Sequence, residues 1–202
     1  MTAYSSGDYR YFNRYAYAFN NPYRFTDPDG RRIAFALENG ATFRDQAETM
    51  SYLFFSSTAA GELMQLHHSK ETYTIKFDRQ AGGIHYNDDS RTVTIDPTSG
   101  LRIKFTGEIQ SPAIGAGHEI SHAAEHDRIG TDAFVRNLEA SVSGGVRADG
   151  VYQVKVGISR EEARATSIEG QMARELGEPA RQNYHDQSGT VTTCGPRSNK
   201  EC

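Results

Sequence analysis

One pentapeptide constrains this chain more than any other feature: His118-Glu119-Ile120-Ser121-His122. Histidines at i and i+4 share a face on an α-helix, where they stand one turn apart. The flanks agree with a helix. Ser111 is a good N-cap, Pro112 suits the first helical position, and Gly130 suits the C-terminal stop. Gly115, Ala116 and Gly117 are small enough to let a neighbouring strand pass close by. On such a helix both imidazoles can converge on one tetrahedral Zn²⁺ at about 2.0–2.1 Å. Glu119 then projects beside the ion. There it can take a proton from the water that zinc activates and hand it to a leaving amine. The pattern predicts a hydrolytic zinc site with His118 and His122 as metal ligands and Glu119 as general base.

A third ligand has to come from another element. His126 continues the same stripe, but i to i+8 spans about 12 Å at a rise of 1.5 Å per residue. Glu125 lies almost two turns from His118 and fails for a related reason. The extended pattern H-E-x-x-H-x-x-G-x-x-H is absent, because position 125 is Glu and position 128 is Arg. A carboxylate from a later helix is expected, and Glu161 and Glu162 are the evident pair. Glu125, Asp127 and Asp132 are candidates for holding the distal N–H groups of the ligand histidines. His67, His68 and His85 lack ligand spacing and read as solvated or core-edge residues.

Bulk composition narrows the class. The chain has 202 residues, 37% hydrophobic and 24% charged, which suits one folded domain with its own core. A net charge of −4 argues against a nucleic-acid binder, which usually carries a basic excess. No apolar run approaches a membrane span, and the first residues lack a basic segment followed by an apolar one. The two cysteines, Cys194 and Cys202, are either a free pair in a mobile tail or a small local disulfide.

Hydrophobic periodicity sketches the elements. Residues 43–67 fit one helix with Phe43, Ala47, Met50, Leu53, Phe54, Ala59, Leu63 and Leu66 on its inner face. Residues 71–78 alternate as a half-buried strand. Residues 83–96 read as a hairpin turning at Asn87–Ser90, and residues 151–156 as a short strand. Ser159 and Glu162 form a capping-box pair for a helix ending near Leu176. The Ser-, Thr- and Gly-rich tail after Tyr184 is expected to be mobile.

Two resemblances extend this reading. Asn13 to Gly30, NRYAYAFNNPYRFTDPDG, resembles the end of the Rhs/YD-repeat core of bacterial polymorphic toxins, whose closing Asp-Pro-x-Gly precedes a variable toxin domain. This implies that residues 1–30 are a core remnant or linker and residues 31–202 the toxin domain. Residues 117–185 resemble the NleD-type effector metallopeptidases, a gluzincin family. The shared residues are Gly117-His118-Glu119-x-x-His122-Ala123, Glu161-Glu162-x-Arg164, and Glu169 to Tyr184 with Arg174-Glu175-Leu176-Gly177, Pro179 and Arg181. The family resemblance implies Glu162 as the third zinc ligand, with Glu161 in reserve. The chain departs from the family's Glu-Glu-x-Arg-Thr by an inserted Ala165 before Thr166.

Arg181 and Tyr184 have the Arg-x-x-Tyr spacing that clostridial-neurotoxin-type gluzincins place near the scissile carbonyl. The resemblance implies that these two stabilise the oxyanion, with His185 as a substitute donor. It also implies an α+β, zincin-like fold: a small mixed or antiparallel sheet packed on the active-site helix, with zinc between that helix and the Ser159–Leu176 helix. The implied setting is a secreted or translocated toxin or effector. Its partners would be a protein substrate in a target cell, a cognate immunity protein, and the Rhs shell with its secretion apparatus.

Two other classes compete. One is a metal-dependent nuclease toxin drawing on His85, His118, Glu119 and His122. The other is an inactive binding module with a structural metal. The acidic balance and the helical H-E-x-x-H weigh against the first. The distance of both cysteines from the motif weighs against a closed structural site.

Overall fold

The computed structural model describes residues 33–143, 147–148, 151–152 and 157–202. The segment resembling an Rhs core end lies outside the described residues, as does most of the strand expected at 151–156.

The described residues begin with β1 (Ile33–Glu38), α1 (Phe43–Leu53), α2 (Ser57–His67), β2 (Tyr73–Asp78), β3 (Ile84–Asn87) and β4 (Thr92–Ile95). These strands form a mixed sheet in the order β1-β2-β4-β3, with β1, β2 and β4 parallel and β3 antiparallel at one edge. Alternation in β2 turns Tyr73, Ile75 and Phe77 into the core. The expected hairpin is present as β3 and β4. The single helix expected over 43–67 is instead two. Thr42 caps α1 in a capping box with Asp45, and Ser56 caps α2. The break is held from outside the segment. The Glu175 carboxylate accepts from Ser56 Oγ, Ser57 Oγ, and both the N–H and hydroxyl of Thr58. Helical periodicity continued across the junction misplaces Phe43 and Phe54, which are 59% and 43% exposed.

The second half comprises β5 (Ser99–Arg102), β6 (Ile109–Gln110), α3 (Pro112–Ile129), α4 (Thr131–Glu139), β7 (Ser141–Ser143), β8 (Arg147–Ala148), β9 (Val151–Tyr152), β10 (Gly157–Ser159), α5 (Arg160–Leu176) and β11 (Gly189–Thr192). The architecture is mixed α and β, with the H-E-x-x-H helix α3 at its centre. It packs on α2, on α5 and on the β3 edge of the sheet. Ile114, Ala116, Ile120, Ala123 and Ala124 of α3 are buried in the core with Leu66, Ile95 and Met172. Gly117 permits the close approach of α5, since a Cβ there would stand 2.6 Å from Met172 Sδ. No helix among the described residues is long and apolar enough to cross a membrane.

The start of α3 is secured by the C-terminal segment and not by its own cap. Ser111 makes no side-chain cap bond. Its hydroxyl and N–H donate instead to Glu178, and the Ala113 N–H donates to the Pro196 carbonyl at 2.8 Å. The tail after Tyr184 is thus ordered, contrary to its composition. β11 pairs with β5 and through it with β6, Thr193 is buried, and Arg102 is paired with Glu201. Polar side chains do not prevent a strand from forming where backbone donors and acceptors find partners. Cys194 and Cys202 form a disulfide around the turn that carries Pro196. Replacing both cysteines with serine should lower stability by about 2–3 kcal/mol, or about 5–10 °C in Tm. Thermal unfolding of the oxidised protein beside the double variant measures this, and an unchanged Tm would refute the cross-link's role.

Candidate metal centre

Both motif histidines project from α3 towards α5, and both are buried, each 4% exposed. Their Nε2 atoms stand 3.1 Å apart. Glu162, in the first turn of α5, brings its Oε2 to 3.3 Å from His118 Nε2 and 3.6 Å from His122 Nε2. The ligand atoms of His118, Glu119 and His122 also lie within 4.8 Å of one another, a group able to hold a metal ion. Three donors around a tetrahedral ion at 2.0–2.1 Å are separated by about 3.3–3.4 Å. The triangle of 3.1, 3.3 and 3.6 Å has that size. The capping box expected at Ser159 is half formed. Ser159 accepts from the Glu162 N–H, while the Glu162 carboxylate faces the histidines.

The distal nitrogens are held by two buried carboxylates. His118 Nδ1 lies 2.9 Å from Glu169 Oε2, and His122 Nδ1 lies 3.0 Å from Glu161 Oε1. Each carboxylate is gripped by an arginine: Arg181 reaches Glu169 at 2.5–3.0 Å, and Arg164 reaches Glu161 at 2.6–3.1 Å. Arg181 Nη2 also lies 3.2 Å from His118 Nδ1. An imidazole N–H donating to Glu169 has no lone pair left for that contact, so the shorter carboxylate bond sets the tautomer. Both Nε2 lone pairs then point at the same space.

Glu161 therefore supports His122 from behind, away from the Nε2 face. Glu125, Asp127 and Asp132 do not take the supporting role considered for them. Glu125 pairs with Arg128, and Asp127 accepts from Gln65 and Ser69. The distal nitrogens face α5, so the support comes from α5 and not from later turns of α3. Glu169 has no role among those predicted from the sequence. Its signal is position: Glu169 follows Glu162 by two turns on the same helix face.

Around this centre the remaining candidates divide. Glu119 Oε2 accepts the backbone N–H of Tyr86 on β3 at 2.8 Å. Arg181 is buried and commits its guanidinium to Glu169, the Tyr184 carbonyl and Gln187. The Tyr184 ring lies 5.2 Å from that guanidinium, and its hydroxyl has no hydrogen-bond partner among the described residues. Both residues line a cavity of about 220 Å³ with His118 and Glu119. His185 is exposed against Tyr184. His85 is exposed on β3 and is not part of the metal-capable group. His126 is buried, bonding Tyr86 Oη at 2.6 Å and Thr131 Oγ1 at 2.8 Å while stacked on Phe134.

Charge dominates this cluster. Burial opposes protonation of both histidines, yet their hydrogen bonds outweigh it, those of His118 with Glu162 and Glu169 and those of His122 with Glu161 and Glu162. His122 is raised to about 9. Burial alone would raise the Glu162 carboxyl, but the two histidines hold it well below its usual range. Without a metal the site therefore keeps a proton at neutral pH. The raised histidine stabilises the metal-free fold below pH 6.5, and that contribution is lost as pH climbs towards about 9. Metal ligation needs the neutral imidazole, so metal binding at pH 7 should release protons from this pair. Titration calorimetry in two buffers of different ionisation enthalpy reads this directly, and an enthalpy independent of buffer would refute it. Comparison with protein-family models, with curated proteins and with solved structures returned no match to this chain.

Proposed function

We propose that this chain is a zinc-dependent endopeptidase of the gluzincin type with a zincin-like fold, acting as a translocated toxin or effector. The observation that carries the reading is the triangle of His118 Nε2, His122 Nε2 and Glu162 Oε2, with His118 and Glu119 lining the adjoining cavity. Two imidazoles and a carboxylate, without a thiolate, form a donor set used at catalytic zinc sites. Glu162 is the better third ligand, since the Glu119 carboxylate is engaged by the Tyr86 N–H. When bound, zinc lowers the pKa of water towards about 7 and polarises the carbonyl to be cleaved.

The protein's own groups account for the remaining steps. Glu119, oriented through Oε2, uses its carboxylate to take the proton of the attacking water and pass it to the leaving amine. Tyr184 has the uncommitted hydroxyl for the oxyanion. Arg181 acts on the same wall mainly through its grip on Glu169, and so on His118. β3 is an edge strand beside α3, so it offers main-chain pairing to an extended peptide.

The setting follows from the Rhs-like segment: delivery by a specialised secretion system within an Rhs shell, a cognate immunity protein, and a protein substrate in the target cell. The Cys194–Cys202 disulfide supports passage through an oxidising compartment. The nuclease reading draws no support from His85, which is exposed and outside the metal-capable group.

Glu119→Gln should retain zinc while losing about 10²–10⁴-fold of hydrolytic rate. His122→Ala and Glu162→Ala should lose the metal itself. Metal content by mass spectrometry and hydrolysis of a mixed peptide substrate separate these outcomes. Full zinc occupancy in both alanine variants would overturn the ligand set, and full activity in Glu119→Gln would overturn the general base.

A further inference from the structure

The cavity beside His118 and Glu119 carries information about what enters it, on the reading that this site hydrolyses peptides. At about 220 Å³ it falls below the size of pockets that enclose drug-sized ligands, roughly 300–1,000 Å³, and suits one substrate side chain. Its charged lining residues are already committed. Glu169 and Arg181 neutralise one another, and Glu119 belongs to the reaction centre. Apart from His118 and these three groups the wall is uncharged, with Ser99, Gln110, Gln187 and Thr190 among its polar members and Ile84 and Leu101 among its apolar ones.

Gln110 is the decisive residue. It sits on β6 with 1% of its surface exposed and lines the cavity. Its Nε2 donates to the Pro179 carbonyl at 2.9 Å, which settles the orientation of the amide. Its Oε1 has no partner among the described residues and is not one of the fully enclosed unpaired atoms, so it is open to the cavity that Gln110 lines. A carboxamide oxygen accessible there can accept from an incoming N–H or O–H. On the same lining, Gln187 turns its Oε1 to Arg181 Nη1 at 3.4 Å, leaving its Nε2 as a donor. An acceptor and a donor on one uncharged wall match a carboxamide. A carboxylate would meet the Gln110 oxygen, and an ammonium or guanidinium would enter beside Arg181 with no free carboxylate on that wall.

We infer that this cavity is the subsite for a carboxamide side chain, asparagine or glutamine, adjoining the cleaved bond of the peptide substrate, with Gln110 as its acceptor. The test uses zinc-loaded protein and a randomised peptide mixture, with products sequenced by mass spectrometry. At one position next to the cleaved bond, asparagine or glutamine should exceed aspartate, glutamate, lysine and arginine by tenfold or more. Gln110→Met, checked for zinc content and Tm, should abolish that preference in favour of leucine and methionine. Thr190→Lys lies at an exposed strand position and should switch the preference to aspartate or glutamate. Cleavage with no preference, with a charged preference in wild type, or with an unchanged preference in Gln110→Met overturns the subsite while leaving the peptidase standing. No cleavage of either the mixture or casein by zinc-loaded wild type overturns the peptidase reading and the subsite with it.

Discussion

Two buried imidazoles with Nε2 atoms 3.1 Å apart, each tied at Nδ1 to a carboxylate, require positive charge between them. Most of the local architecture serves that requirement. α3 supplies both rings and, among the described residues, α5 supplies the carboxylates paired with them, so the centre forms where these helices pack. Gly117 lets Met172 of α5 come against α3, and the Glu178, Pro196 and Cys194–Cys202 contacts hold the start of α3. Formal charges follow the same plan. Glu161 with Arg164 and Glu169 with Arg181 cancel in pairs. Glu119 and Glu162 remain as two carboxylates beside the two imidazoles, a charge balance that would suit a divalent cation.

The two histidine–carboxylate–arginine strings also explain why so much polar surface is buried without an evident loss of order. Glu161 and Glu169 are each 1% exposed, yet their oxygens are occupied by an imidazole N–H and a guanidinium. A buried ion pair contributes little net stability, but removing one partner strands the other. Such strings fix ring orientation and tautomer. His126 has a comparable role in the next turn of α3. Both of its ring nitrogens are bonded and its ring is stacked on Phe134, so it joins β3 and α4 to α3. Through Tyr86 it helps fix the strand whose N–H holds Glu119.

The extent of α3 and α5, the β3–β4 hairpin and the strand at Tyr73–Asp78 were all legible from periodicity and punctuation, because each is specified by residues within itself. His118, Glu119 and His122 were legible for the same reason: i, i+1 and i+4 on one helix have a known geometry. Residues whose behaviour depends on distant partners were not legible. The break at Ser56 needs Glu175, the ordered tail needs β5, and the cap of α3 needs Glu178 and Pro196.

The sequence by itself therefore determined that a helix would present two metal-capable histidines and a glutamate on one face. Only the tertiary structure decided which neighbouring glutamate faces their Nε2 atoms and which stands behind. Glu161 and Glu162 are adjacent on a helix and differ by about 100° in direction. The packing of α5 on α3 turns one to the ring front and the other to the ring back. It also placed Glu169, two turns away, behind His118. Helical spacing sets directions within one element, but the rotation of one helix against another is set by the shapes that pack between them.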